Sequence, residues 1–154
     1  MNRSIVIADA SSLIALDNIS ELEVLQSLYT AIIITPEVAG EYGRETPAWI
    51  HIREASIQSK RRLEPSRLDP GEVSSIALAL DSDSPLLIID EKKGRRVAEQ
   101  FGIDIIGIVG VLIKAKLASL IRDPETLLDR LESVDFRLSD DLKARLSDAG
   151  NQIH

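Results

Sequence analysis

The chain contains no cysteine, so disulfides and thiolate metal sites are excluded, and a reducing compartment suits it. Its only imidazoles are His51 and His154, which excludes a histidine-rich zinc centre. Any metal must therefore be held by oxygen, a donor set that favours Mg²⁺ or Mn²⁺. Aromatic residues make up only 3% of the 154 residues, which leaves Ile, Leu, Val and Ala to build the core. No apolar stretch approaches the roughly 18 residues that span a bilayer. No secretory pattern opens the chain, because Asp9 and Ser11-Ser12 interrupt its first apolar run. A membrane location is thus not expected, and a cytoplasmic one is. Positive charge is also in deficit, with a formal net charge of −7. Such a chain repels phosphate backbones on average, which argues against a plain nucleic-acid-binding module. It argues less against a nuclease whose acids are neutralised by bound cations.

What is present is an alternation of short apolar runs and helical patterns. Residues 4–8 read as a buried strand ending at Asp9, followed by helices over 11–16 and 20–28, the second with Ser20 as N-cap and Glu23 at the reciprocal position. Residues 31–35 form a β-branched strand. Pro36 opens a helix running to about Gly43. Residues 49–52 fit a short strand or a helix start. The polar stretch 60–70, with two prolines, reads as a loop. Asp69 caps a helix from Pro70 to about Leu80. A third strand covers 85–89 and ends at Asp90, a helix covers 91–101 with Gly102 as its C-cap, and a fourth strand covers 104–108. An apolar helix over 109–120 follows. Amphipathic helices over 124–133 and 139–149 complete the pattern, preceded by Asp123 and Ser139 as caps. Alternating strands and helices with nearly continuous apolar strands predict a parallel sheet covered on both faces, an α/β chain. One domain is expected over 1–154, with a core over 4–122 and C-terminal helices over 123–150.

In such a sheet, ligands bind at the carboxyl ends of the strands. Two apolar strands here lead into an acid, IVIAD at Asp9 and LLIID at Asp90. If the strands are neighbours, the carboxylates converge, although each Asp could equally cap the helix that follows. Glu41 lies on the helix in TPEVAGEY, where an ordinary surface glutamate is the alternative. Glu72 lies in the first turn of DPGEVSSIALAL, where the helix dipole alone favours an acid. Asp69 already supplies the cap there. Four carboxylates clustered without counter-charge raise one another's pKa. A divalent ion relieves that strain, activates water and polarises a phosphodiester.

These segments, IVIADASSLI, TPEVAGEY, LDPGEVSSIALAL and LLIIDEKKGRRVAEQFG with the later GIVGVLIKAKLASLI, resemble the PIN-domain superfamily over roughly residues 4–122. The superfamily includes the toxin nucleases of bacterial and archaeal toxin–antitoxin pairs, and the GE-containing segment resembles an incompletely characterised branch. The resemblance implies a three-layer α/β/α fold and a Mg²⁺- or Mn²⁺-dependent endoribonuclease, with an antitoxin as protein partner. Its four acids fall on Asp9, Glu41, Glu72 and Asp90, with Asp9, Glu72 and Asp90 as metal ligands. Its small hydroxyl residue falls on Ser11, and Glu91 is an auxiliary acid ranked below the four. Two departures stand out. Ile88 occupies a position where many members carry Thr, and Glu72 replaces the more frequent Asp.

Lys92, Lys93, Arg95 and Arg96 follow directly and fit either an RNA-attracting patch or a solvated helix face. Lys60, Arg61, Arg62 and Arg67 read as a plain charged loop. Trp49 is expected to anchor a core or an interface. The helix over 109–120 is expected to belong to the core, with some of it, together with the helix over 20–28, offering a homodimer face. Two further functions compete with the nuclease: a catalytically weak PIN-like module that binds protein or RNA, and a receiver-like or aspartate-phosphatase domain. The last lacks an Asp two residues after Asp9, an Asp-Asp pair near position 9 and a Lys straight after Ile108.

Overall fold

The computed structural model describes residues 5–121 and 124–133. The predicted helix over 139–149 with its cap Ser139, and Asp123, the expected cap of the helix over 124–133, lie outside them. Five strands form one all-parallel sheet in the order β3-β2-β1-β4-β5. They are β1 (Ile5–Ala8), β2 (Ile32–Ile34), β3 (Ile50–Ile52), β4 (Pro85–Ile88) and β5 (Asp104–Ile106). The helices are α1 (Ala10–Asn18), α2 (Val24–Tyr29), α3 (Pro36–Tyr42), α4 (Ile57–Arg62), α5 (Pro70–Leu80), α6 (Lys92–Gln100), α7 (Ile108–Leu117) and α8 (Pro124–Ser133). Among the described residues no helix is long and apolar enough to cross a membrane.

Strand alternation sorts the apolar side chains into two layers. Val6, Ala8, Leu86 and Ile88 point to one face and pack with α1, α2, α3, α7 and α8. Ile5, Ile7, Leu87 and Ile89 point to the other and pack with α5, α6 and Leu63. The result is the α/β/α sandwich anticipated from the apolar strands. Because both faces are covered, β1 and β4 tolerate no polar residue until they end, and there both chains turn acidic.

Successive strands run outward from β1 through β2 to β3, while β4 lies on the opposite side of β1 and β5 beyond it. The strand order therefore reverses between β1 and β4. That reversal opens a crevice at their carboxyl ends. The register pairs Ala8 with Ile88, and the Asp9 N–H donates to the Ile88 carbonyl at 3.0 Å.

Several local expectations change. The helix expected over 20–28 begins at Val24, and Ser20 is not its cap. Ser20 takes φ 60° and closes α1 instead: its N–H donates to the Asp17 carbonyl and the Glu21 N–H donates to the Leu16 carbonyl. The same C-terminal motif recurs at Gly102, φ 74°, just past the C-cap Phe101. The polar stretch 60–70 is not all loop. α4 enters it, capped by Ser56, whose Oγ accepts from the Ser59 N–H, and a 3₁₀ turn follows at Glu64–Ser66. α4 escapes sequence reading because its contribution to the interior is small: Ser59 is buried within the helix and Leu63 just after it. Strand β4 ends at Ile88, one residue short of expectation, and β5 at Ile106, two residues short. Of residues 49–52, Ile50–Ile52 form strand, and Trp49 just before it packs half-buried against the first core layer. In α7, expected to be core with some of it a dimer face, Ile108, Val109, Val111, Leu112 and Ala115 are buried, while Leu117 at its end and Leu120 just past it are exposed.

Candidate acidic site at the strand reversal

At the crevice between β1 and β4 a cavity of about 120 Å³ is lined by Asp9, Ala10, Ser11, Glu41, Asp69, Gly71, Glu72 and Glu91. Asp9 arrives from β1, Glu41 from α3, Asp69, Gly71 and Glu72 from the start of α5, and Glu91 from the cap of α6. Residues scattered from position 9 to position 91 thus share one hollow. Among the described residues, however, no three of them close to the spacing of a finished cation cage. The acids surround a space rather than a point.

Asp9 is nearly fully buried and is also the N-cap of α1: its Oδ1 accepts from the Ser12 N–H at 3.1 Å and its Oδ2 from Ser11 Oγ at 3.2 Å. The capping and the cavity-lining readings of this residue are both realised. Burial pushes its carboxyl from an ordinary 3.8 up to about 6, against the pull of the Ser12 and Ser11 donors, and the nearby Asp90 charge adds to the rise.

Glu72 is the most perturbed group. Its Oε2 is buried with no hydrogen-bond donor. Its polar neighbours, Asp69 and Glu91, are carboxylates, which can only share a proton with it. Burial, then these two acids, push it to about 9. Asp69 is displaced the other way, held low chiefly by its hydrogen bond with the Glu72 side chain. The Asp69 Oδ1 also accepts from the Glu72 N–H at 2.9 Å and caps α5 as expected. Glu41 is more exposed. Its carboxyl is raised by partial burial and by the Asp69 charge, and the Gly71 N–H opposes the rise.

Two glycines make this crowding possible. A Cβ on Gly71 would collide with the Glu41 carboxylate, and one on Gly94 would lie 2.5 Å from Glu72 Oε2. The glycines of LDPGE and KKGRR are therefore places where backbone approaches carboxylate with no side chain between.

Asp90, expected beside Asp9, is not among the lining residues. Its two oxygens accept from the Ile108 N–H at 3.0 and 3.1 Å, and its Oδ2 accepts from Ser12 Oγ at 3.1 Å. Burial raises its pKa, and the Ile108 N–H, Ser12 and Arg95 hold the rise back. Glu91, ranked behind it from sequence, faces the cavity while its Oε2 accepts from the Gly94 N–H at 2.8 Å.

The basic residues divide. Lys92, Lys93 and Arg96 are exposed on α6, and Lys93 Nζ donates to the Arg67 carbonyl at 3.3 Å. Arg95 is turned inward, its Nη1 donating to the Ile89 carbonyl at 3.2 Å. In the earlier cluster, Lys60 pairs with Glu37 at 2.7 Å and Arg62 lies over the Phe101 ring. Sequence reading missed Ser12, Gly71 and the cavity-facing role of Asp69. Asp69 carried a visible signal, an acid three residues before Glu72, but its capping role accounted for it.

A family model described as a PIN domain matches residues 5–151. No curated protein and no solved structure matches the chain.

Proposed function

Because the chain belongs to the PIN-domain family, whose members are generally nucleases, we propose that it is a Mg²⁺- or Mn²⁺-dependent endoribonuclease, the toxin of a toxin–antitoxin pair. The observation that carries this reading is Glu72 Oε2, buried without a donor in a hollow shared with Asp9, Glu41, Asp69 and Glu91. An acid cluster of this kind is electrostatically costly with no cation and suited to one of high charge. The donor set fits a hard divalent ion: all oxygen, no thiolate, no imidazole.

Asp9 and Glu72 would hold such an ion, with Glu41 and Glu91 on the same wall and Ser11 steadying Asp9. Bound there, a divalent cation supplies Lewis acidity and an acidified water. The chain's own part is to fix the carboxylates at the strand ends and to present an RNA backbone to them. Exposed Lys92, Lys93 and Arg96, on the helix that begins at Glu91, supply attraction that the negative net charge otherwise denies. A reducing cytoplasm suits the cysteine-free chain. A homodimer would use Leu117 at the end of α7 and Leu120 just past it, both exposed.

A second reading is a catalytically weak module acting through protein or RNA binding. It draws on the open spacing of the acids, among which no finished cage exists in the described residues.

Titrating Mn²⁺ against thermal stability while following cleavage of a labelled RNA separates the two. Binding to the native state raises the midpoint. Stabilisation and cleavage that both disappear in Asp9→Asn support the nuclease. Stabilisation and cleavage both missing from the unsubstituted protein leave the binding module.

A further inference from the structure

Two hydroxyl side chains, Thr35 and Ser74, lie fully buried and 2.6 Å apart between the helices that carry Glu41 and Glu72. Thr35 is the N-cap of α3, and its Oγ1 accepts from the Val38 N–H at 3.2 Å. Ser74 lies in the second turn of α5, and its Oγ donates to the Gly71 carbonyl at 2.8 Å. A hydroxyl has one proton to give. The Ser74 proton is committed to Gly71, so the Thr35 hydroxyl is the donor between the two. One polarised chain therefore runs from the Val38 N–H through Thr35 and Ser74 to the Gly71 carbonyl, in the dry interior where such bonds are strongest. It ends on the residue whose backbone meets the Glu41 carboxylate: the Gly71 N–H acts on Glu41, and a Cβ at Gly71 would collide with Glu41 Oε1.

We infer that Thr35 and Ser74 are positioning residues: their hydrogen bond fixes the angle of α3 on α5 and so holds Glu41 against Gly71 at the wall of the acidic cavity. This rests on the cation reading above. Neither residue needs the other for its local role. Thr35 alone would cap α3, and Ser74 alone would bond back to its own helix. The contact between them joins α3 to α5. The far end of α3 is fastened elsewhere, to α1, by the Tyr42 hydroxyl donating to Asp17 Oδ2 at 3.2 Å. Glu41 lies six residues past Thr35, about 9 Å along the helix axis. A tilt of about 10° at the cap would carry its carboxylate about 1.5 Å, beyond the roughly 0.5 Å tolerance of a preorganised site.

The test is Mn²⁺ affinity, read by thermal-shift titration on the full chain, with the metal-free midpoint recorded for every variant. Thr35→Val keeps the shape and removes the hydroxyl. It should weaken Mn²⁺ binding about tenfold, an effect of the size seen for outer-shell partners. Thr35→Ser restores the hydroxyl and the cap and should bind within about threefold of the unsubstituted chain. Ser74→Ala should weaken binding about as much as Thr35→Val, and the two together no more than either, because each removes the same bond. Loss of the cap lowers the midpoint of Thr35→Val whatever its role, so a second background separates positioning from stability. In Glu41→Gln, weakened by its own substitution, the pair has no charge left to place, and adding Thr35→Val should change affinity by less than about twofold. Asp81→Ala, at the other end of α5, should lower the midpoint and leave the affinity alone. Equal losses from Thr35→Val with and without Glu41→Gln overturn the inference, as do Thr35→Val and Ser74→Ala variants that bind like the unsubstituted chain. An unsubstituted chain that takes up no Mn²⁺ overturns the cation reading, and this inference falls with it. Should Thr35→Val fail to fold, Ser74→Ala, which leaves a good helix former in α5, decides in the same two backgrounds.

Discussion

Helix α5 carries an acid near each end, and the two are treated in opposite ways. Glu72, in the first turn, lies where the helix dipole favours a negative charge. Asp81, the C-cap residue, lies where the dipole opposes one. Yet Glu72 is pushed up to about 9 and Asp81 is held below its ordinary value. Donor supply makes the difference. Burial would raise Asp81, but the Ser59 hydroxyl at 2.6 Å, the Ser56 N–H at 2.6 Å and the Ser56 hydroxyl at 2.9 Å outweigh it. Glu72 meets burial with no donor at Oε2 and two carboxylates beside it. Asp81 fastens α4 to the end of α5 and is a finished structural joint. Glu72 keeps one oxygen, Oε2, buried with no donor, the condition of a site built for something that arrives from outside.

The largest effect should come from the unfinished end. Glu72→Gln is expected to lower RNA cleavage by about a hundredfold or more, at or beyond the upper range for outer-shell changes around metals. Asp81→Ala should leave cleavage unchanged, and equal losses in the two variants would erase the contrast. The helix body comes next. Leu87 is fully buried in the layer that holds Ile76 to Ala79 of α5. Leu87→Ala should cost about 2–5 kcal/mol in a denaturant melt through the cavity it leaves. Its cleavage at temperatures below unfolding should exceed that of Glu72→Gln. Removing the joint is milder: Asp81→Ala should destabilise by about 1 kcal/mol, the loss of a helix-capping interaction. Hydrogen exchange should place that loss in α4.

The smallest effect, and the sharpest in sign, is pH dependence. A carboxyl raised on folding contributes stability that is full below its unfolded value and fades as pH rises through the folded one. For Asp9 that window runs from 3.8 to about 6, and for Glu72 from 4.5 to about 9. Metal-free stability should therefore drift down across pH 4 to 9, by an amount that solvent screening keeps modest at the half-exposed Glu72. The Mn²⁺-induced rise in melting temperature should grow over the same range, because the cation competes with protons. Asp81, with its lowered value, acts oppositely: its stabilisation is present above 3.8 and is lost as pH falls below that. Asp81→Ala should therefore remove part of the acid-side decline and nothing from the alkaline side. An unchanged acid limb in that variant would show that the joint is not ionised.

Much of the fold could be read from residue order. IVIA and PLLI are apolar on both faces, which only a covered parallel strand explains, and Asp69-Pro70 and Thr35-Pro36 start helices where their chemistry says they should. Of the acids that line the hollow, Asp9 and Glu41 were legible because each follows a strand, and Glu72 because it opens a helix that Asp69 already caps. α4 was not legible, since it buries almost nothing of its own. Ser20 misled for a related reason: a serine before an apolar run suits an N-cap, but the hydrogen bonds that close α1 had the prior claim.

What the sequence determined by itself is the type of each element and the kind of atom available to a ligand, because spacing and composition act locally. Which of Asp90 and Glu91 looks into the hollow was decided only in three dimensions. Adjacent residues leave a strand end in different directions. The choice between them was made by Ile108, Ser12 and Arg95, three partners contributed by α7, α1 and α6, whose positions depend on the register of β4 against β1 and β5.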